Sequence, residues 1–172
     1  MKLLNQTSLA LLFTLASSTS FAQQVCNSNV EQNTPDSRFE LTAGEALDTQ
    51  TGLIWQRCLL GQSWNSATAQ CEGFLQTVNW KEALESASGN WRVPNIKELG
   101  SIVEHACGNP SINLNVFPGT PIAPSIWTST PGRFQLGQTT QNSAWSTFFQ
   151  DGTNLNGSKD FRRFVLLVRD AD

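Results

Sequence analysis

An α+β fold is predicted by three patterns in this 172-residue sequence. Two apolar stripes at helical spacing, each opened by an Asn-x-x-Glu box, follow one another between residues 79 and 106. A strand-like hairpin precedes them, and strand-like runs separated by turn residues come after. Strands, paired helices and then antiparallel strands make an α+β order, and the length fits one domain.

The N-terminus reads as an export signal. Lys2 precedes a short apolar run at Leu9–Ala16, and Ser20-Phe21-Ala22 is a small-x-small cleavage site. The run is too short to span a bilayer, which takes about 20 residues. Residues 1–22 are therefore expected to be a signal peptide, leaving a chain with no membrane span that starts near Gln23. The expected location is periplasmic or secreted. Residues 23–45 are polar and read as an N-terminal arm, and residues 46–170 as the domain proper.

Within the domain, Asp48 to Gly52 has turn chemistry and Leu53–Gln56 the look of a strand, so Ala46–Arg57 is expected to form a hairpin. Cys58–Glu72 is expected to be loop. Asn79 and Glu82 form a capping box ahead of the stripe Trp80, Ala83, Leu84 and Ala87, which Gly89 ends. Asn95 and Glu98 repeat the box ahead of Ile96, Leu99, Val103 and Ala106. His105 is read as a helix C-terminal residue favoured by the helix dipole. Four prolines (Pro110, Pro118, Pro121, Pro124) then punctuate a long loop. Strands are expected at Ser125–Ser129, Ser143–Phe149 and Phe161–Arg169, with Asp151-Gly152 as a hairpin turn and Asn154–Asp160 as a polar connection.

Once Lys2 is removed, ten basic side chains remain against fourteen acidic ones. That balance argues against nucleic acid as a partner. Four cysteines in an exported chain predict two disulfides out of three possible pairings. Cys58–Cys71 and Cys26–Cys107 are the favoured pairs, the first closing the polar loop and the second tying the arm to the middle of the chain. No Cys-x-x-Cys spacing occurs and His105 is the only histidine, so neither a metal site nor any other cofactor is expected. The Asp151–Gly157 run fails as a calcium loop, because Arg163 falls where a bidentate Glu is needed. No Gly-x-Ser-x-Gly elbow is present, and no catalytic residue is nominated.

Five motifs occur in order: Thr51-Gly52-Leu53-Ile54-Trp55-Gln56; Trp91-Arg92-Val93-Pro94 with Glu98; Trp127-Thr128-Ser129-Thr130-Pro131; Ala144-Trp145 with Asp151-Gly152; and Phe164–Arg169. Together they resemble the Lcl C-terminal domain-like family, over about residues 46–170. The resemblance implies a C-type-lectin-like fold in which two helices pack on a small antiparallel sheet beside a long loop region. It also implies exported proteins, and in the adhesin that names the family the domain engages sulfated polysaccharide. Family members often end in Val-Arg-Leu-Val-Arg, whereas this chain has Val165-Leu166-Leu167-Val168-Arg169. The calcium-binding motifs of sugar-binding C-type lectins do not occur.

The expectation is thus a non-enzymatic binding module for a glycan or another envelope component. The alternatives are an envelope assembly protein acting through protein contacts and, more distantly, an oxidase related to formylglycine-generating enzymes, whose chemistry needs reactive cysteines. Most of the six tryptophans (Trp55, Trp80, Trp91, Trp127, Trp145) sit in apolar patterns that suggest packing. Trp64, in the polar loop, is the candidate for exposed ligand stacking. Arg92 is read as a brace at the joint between the two helices, paired with a nearby carboxylate or with backbone carbonyls.

Overall fold

The structure is a computed structural model that describes residues 24–132 and 142–171. The expected signal peptide lies outside the described residues.

Strands dominate. In chain order come β1 (Val25–Cys26), a single 3-10 turn (Asp36–Arg38), β2 (Phe39–Thr42), β3 (Glu45–Asp48), β4 (Leu53–Gln56), β5 (Gln62–Asn65) and β6 (Gln70–Gly73). Then follow α1 (Trp80–Glu85), α2 (Ile96–Ser101), β7 (Cys107–Gly108), β8 (Ser125–Pro131), β9 (Ser143–Phe148), β10 (Thr153–Ser158) and β11 (Val168–Asp170). The strands make a four-stranded sheet in the order β11-β4-β3-β2, a three-stranded sheet β10-β9-β8, and the pairs β5-β6 and β1-β7. All of these strand pairings are antiparallel.

This overturns the expected α+β, C-type-lectin-like arrangement of two helices packed on one small sheet. The two helices are six residues each, and the fold is a set of small antiparallel sheets. Both capping boxes do form. Asn79 Oδ1 accepts from Glu82 N at 2.9 Å, and Asn95 Oδ1 from Glu98 N at 3.0 Å. The helices stop early for tertiary reasons. After α2 the chain turns so that Glu104, Ile102 and Val103 are buried, which leaves His105 exposed beyond the helix rather than at its end.

Other expectations change as well. Cys58–Glu72 is a hairpin rather than a loop, the expected polar connection is β10, and Phe161–Arg169 contributes only β11 as regular strand. The segment read as an arm supplies β1 and β2, and its Phe39 joins the core.

Two buried clusters hold the sheets together. The larger gathers Trp55, Leu99, Ile102, Ile112, Val116, Phe117, Ile126 and Phe149, and the smaller Ala83, Val93, Trp127 and Ala144. The segment Val165–Val168 serves both: Leu166 and Val168 enter the larger cluster, Val165 and Leu167 the smaller. Alternation of side chains along extended backbone accounts for that division. Leu166, where relatives often carry Arg, is therefore a core residue at 2% exposure.

The recurrent motifs turn out to be joints. Arg92 pairs with β11 by backbone bonds in both directions with Val168, at 2.9 Å each. Its guanidinium grips Glu98 at 2.7 and 3.1 Å and Asp170 at 2.9 Å. Glu98 meanwhile caps α2 by accepting from Asn95 N at 2.7 Å. Buried Pro94 gives its carbonyl to Ser129 N at 2.8 Å, and Thr130 Oγ1 accepts from Ile96 N at 3.0 Å. Gly152 closes the β9–β10 turn with φ +81°, against Val103.

Candidate functional site

A cleft of about 410 Å³ is lined by Thr42, Glu45, Gln56, Gln62, Ser63, Trp64 and Trp91. It unites Trp64, the stacking candidate, with Trp91 of the recurrent motifs. Three pieces of backbone converge there: the turn between β2 and β3, the end of β4, and the β5–β6 hairpin.

Arg57 organises the convergence. It is buried, and its guanidinium donates to Val116 O at 2.8 Å, Ala43 O at 3.1 Å and Asn115 O at 3.0 Å. Its backbone N–H bonds Gly44 O at 2.9 Å. The guanidinium lies 3.9 Å from the centroid of the Trp64 ring. Stacking of this kind suits the planar, weakly hydrated arginine head. Among the described residues no carboxylate pairs with Arg57, and burial lowers its pKa from the ordinary arginine value. Arginine remains protonated despite such a shift, so a cation backs the Trp64 ring. Gly44 completes the fit, since a Cβ there would stand 2.9 Å from Trp64 Cβ.

Trp64 is accordingly half-buried and clamped on one face, not free in solvent. Trp91 is backed in the same manner by Arg169, whose guanidinium is 5.4 Å from its ring centroid. Arg169 pairs with Glu45 at 3.0 Å, and Glu45 lies opposite Gln56 across β3 and β4. The cleft thus offers two indoles, two amides, two hydroxyls and one ion-paired carboxylate. Stacking on apolar ring faces and hydrogen bonding to hydroxyl or amide groups are the chemistry available.

The remaining tryptophans pack. Trp55 and Trp127 are fully buried, and Trp127 Nε1 donates to Val78 O at 2.9 Å. Trp80 Nε1 donates to Thr128 O at 2.8 Å. Trp145 is half-buried in β9, and its carbonyl accepts from Thr128 Oγ1 at 2.7 Å.

Away from the cleft, a basic and aromatic strip runs along residues 159–163. Lys159 lies 4.3 Å from the Trp80 centroid, and Arg163 lies 4.9 Å from Trp127 and 5.7 Å from Phe161. Arg162 reaches Glu82 at 3.4 Å.

Cys26–Cys107 and Cys58–Cys71 are disulfide-bonded, the expected pairing, and no free cysteine stands among the described residues. No helix of the described residues is long and apolar enough to cross a membrane. Sequence reasoning passed over Glu45, Gln56 and Arg57. The available signal for Arg57 was its place directly after a strand and before Cys58. Glu104, expected on the second helix in a capping or solvated role, lies beyond α2 and is buried at 2% exposure. Burial opposes the charge of Glu104, but hydrogen bonds from Ala106 N, Thr34 N, Thr34 Oγ1 and Asn33 N outweigh it and hold its pKa below the usual carboxylate value.

No curated protein and no solved structure gives a significant match to the chain. The family model of the Lcl C-terminal domain matches residues 44–169, which take in β3, β4 and most of β11 of the four-stranded sheet, both helices and both Trp64 and Trp91, but not β2 or Thr42. With most of its length matched, the chain belongs to the Lcl C-terminal domain family.

Proposed function

We propose that the protein is an exported, non-enzymatic binding module that takes a glycan in the Trp64–Trp91 cleft. The supporting observation is the pairing of two indoles with amide, hydroxyl and carboxylate groups around one cavity of about 410 Å³. Sugar rings present an apolar face and a polar rim, and this lining complements both. The volume lies within the range of about 300–1,000 Å³ usual for small-ligand sites. Two disulfides fit an oxidising compartment.

The test is a glycan array with neutral and sulfated polysaccharides, followed by titration of any hit against Trp64→Ala and Trp91→Ala. Losing a stacking indole costs about 1.4–3 kcal/mol, a tenfold or greater loss of affinity. Absence of binding by well-folded protein counts against the reading. Salt-sensitive binding that survives both substitutions but is lost in Lys159→Ala/Arg162→Ala moves the ligand to the basic strip, in keeping with the sulfated polysaccharide of the family's adhesin.

A second reading, contact with an envelope protein, draws on Phe74. This side chain is 92% exposed beside Leu75, an unusual setting for so large an apolar surface. Crosslinking in cells to one dominant protein, abolished by Phe74→Ser, supports it.

A further inference from the structure

The hairpin that carries Trp64 is attached to the fold in an unusual way. Its strands β5 and β6 form a sheet of their own, hydrogen-bonded to no other sheet. Neither buried cluster draws a residue from β5, β6 or the turn between them. What holds the hairpin is a short set of ties. Gln62 N donates to Leu59 O and Gln76 N to Leu60 O, each at 3.0 Å, the Trp64 ring rests on Arg57, and Cys71 is bonded to Cys58. A two-stranded hairpin is marginal in water on its own. Cys58 belongs to the buried body of the domain, whereas Cys71 lies on the hairpin directly opposite Trp64. The disulfide therefore joins the body to the residue paired with the stacking ring, and Cys58 itself lines the cleft.

From this we infer that the Cys58–Cys71 disulfide is a redox latch on the Trp64–Trp91 cleft. Oxidised, it seats Trp64 on Arg57 and completes the cleft. Reduction by a dithiol passes two electrons and two protons to the bond, giving two thiols and the reductant's own disulfide. The hairpin then leaves Arg57 while the two clusters stay intact. Cys26–Cys107 joins β1 to β7 and has no part in the cleft. The inference rests on the cleft reading above, but its principal readout needs no ligand.

The test compares wild type with Cys58→Ala/Cys71→Ala, which keeps Cys26–Cys107. The double variant is expected to retain far-ultraviolet circular dichroism and cooperative melting. Acrylamide quenching of tryptophan emission should increase, because the half-buried Trp64, one of six tryptophans, loses its cover on the Arg57 face. Adding Trp64→Phe should abolish that increase. Any glycan found to bind wild type should no longer bind the double variant. Unchanged quenching overturns the latch, and so does loss of cooperative melting, which makes the bond a support of the whole fold. If wild type binds no glycan, the cleft reading falls while the quenching result still decides the latch.

Discussion

Replacing Arg92 by alanine removes two contacts to Glu98 and one to Asp170 while leaving the capping role of Glu98 in place. The contacts differ in worth. The Arg92 side chain is 37% exposed and that of Glu98 19%, so this pair is partly shielded and doubly bonded. Asp170 is 77% exposed, and its contact belongs with surface pairs, worth about 0–1 kcal/mol. A charge-assisted bond to a partly buried partner is worth about 1.5–3 kcal/mol, and exposure trims it toward the lower end. The sum is about 2 kcal/mol, or about 4–8 °C in melting temperature for a domain of this size. Differential scanning calorimetry measures it, and a double-mutant cycle with Glu98→Gln isolates the pair. The Asp170 share should fade with added salt, the Glu98 share much less. Ligand binding in the cleft should persist. A variant that melts like wild type but has lost binding would refute the bracing role.

Three further outcomes follow from the geometry. Gly152→Ala puts a Cβ 2.5 Å from Val103 Cγ1 at a φ of +81°, and should cost about 2–4 kcal/mol in urea denaturation. Leu166→Arg should cost on the order of 4 kcal/mol, because it buries a charge in the larger cluster. Acid should destabilise the fold through Asp48 and Glu104. Burial opposes the charge of Asp48, but hydrogen bonds from Arg38, Thr51 and Gln50 N lower its pKa, as the bonds to Glu104 do there. Carboxylates with depressed folded values contribute stability above their unfolded pKa of about 4, and that stability is lost as pH falls through the folded values. Denaturation midpoints measured against pH should therefore drop below about pH 4, with a shallower slope in Asp48→Asn.

Local chemistry was legible where it was self-contained. The Asn-x-x-Glu boxes announced both helix starts, because a cap involves only neighbours in sequence. Helix ends were not legible. The α2 stripe continues through Val103 and Ala106, yet burial of Glu104 against Asn33 and Thr34 diverts the chain, and those partners lie about seventy residues upstream. The β5–β6 hairpin was silent for a different reason. It buries no core side chain, so its sequence lacks the alternation by which strands are recognised. Misjudging both made the protein look more helical than it is. At the site, the polar setting of Trp64 drew notice, but its partner Arg57 is fixed by carbonyls of Ala43, Asn115 and Val116, and Glu45 reaches the cleft by its pairing opposite Gln56, neither of which a local pattern encodes.

The dual allegiance of Val165–Val168 couples the two halves of the interior. These four residues supply side chains to both clusters and stand last in chain order among the core residues. Leu47, Ile54 and their neighbours on β3 and β4 can pair early, but β11 is needed to close the sheet beside them. Neither cluster is complete without these four residues. Disturbing this one segment is therefore expected to loosen both clusters together rather than one at a time.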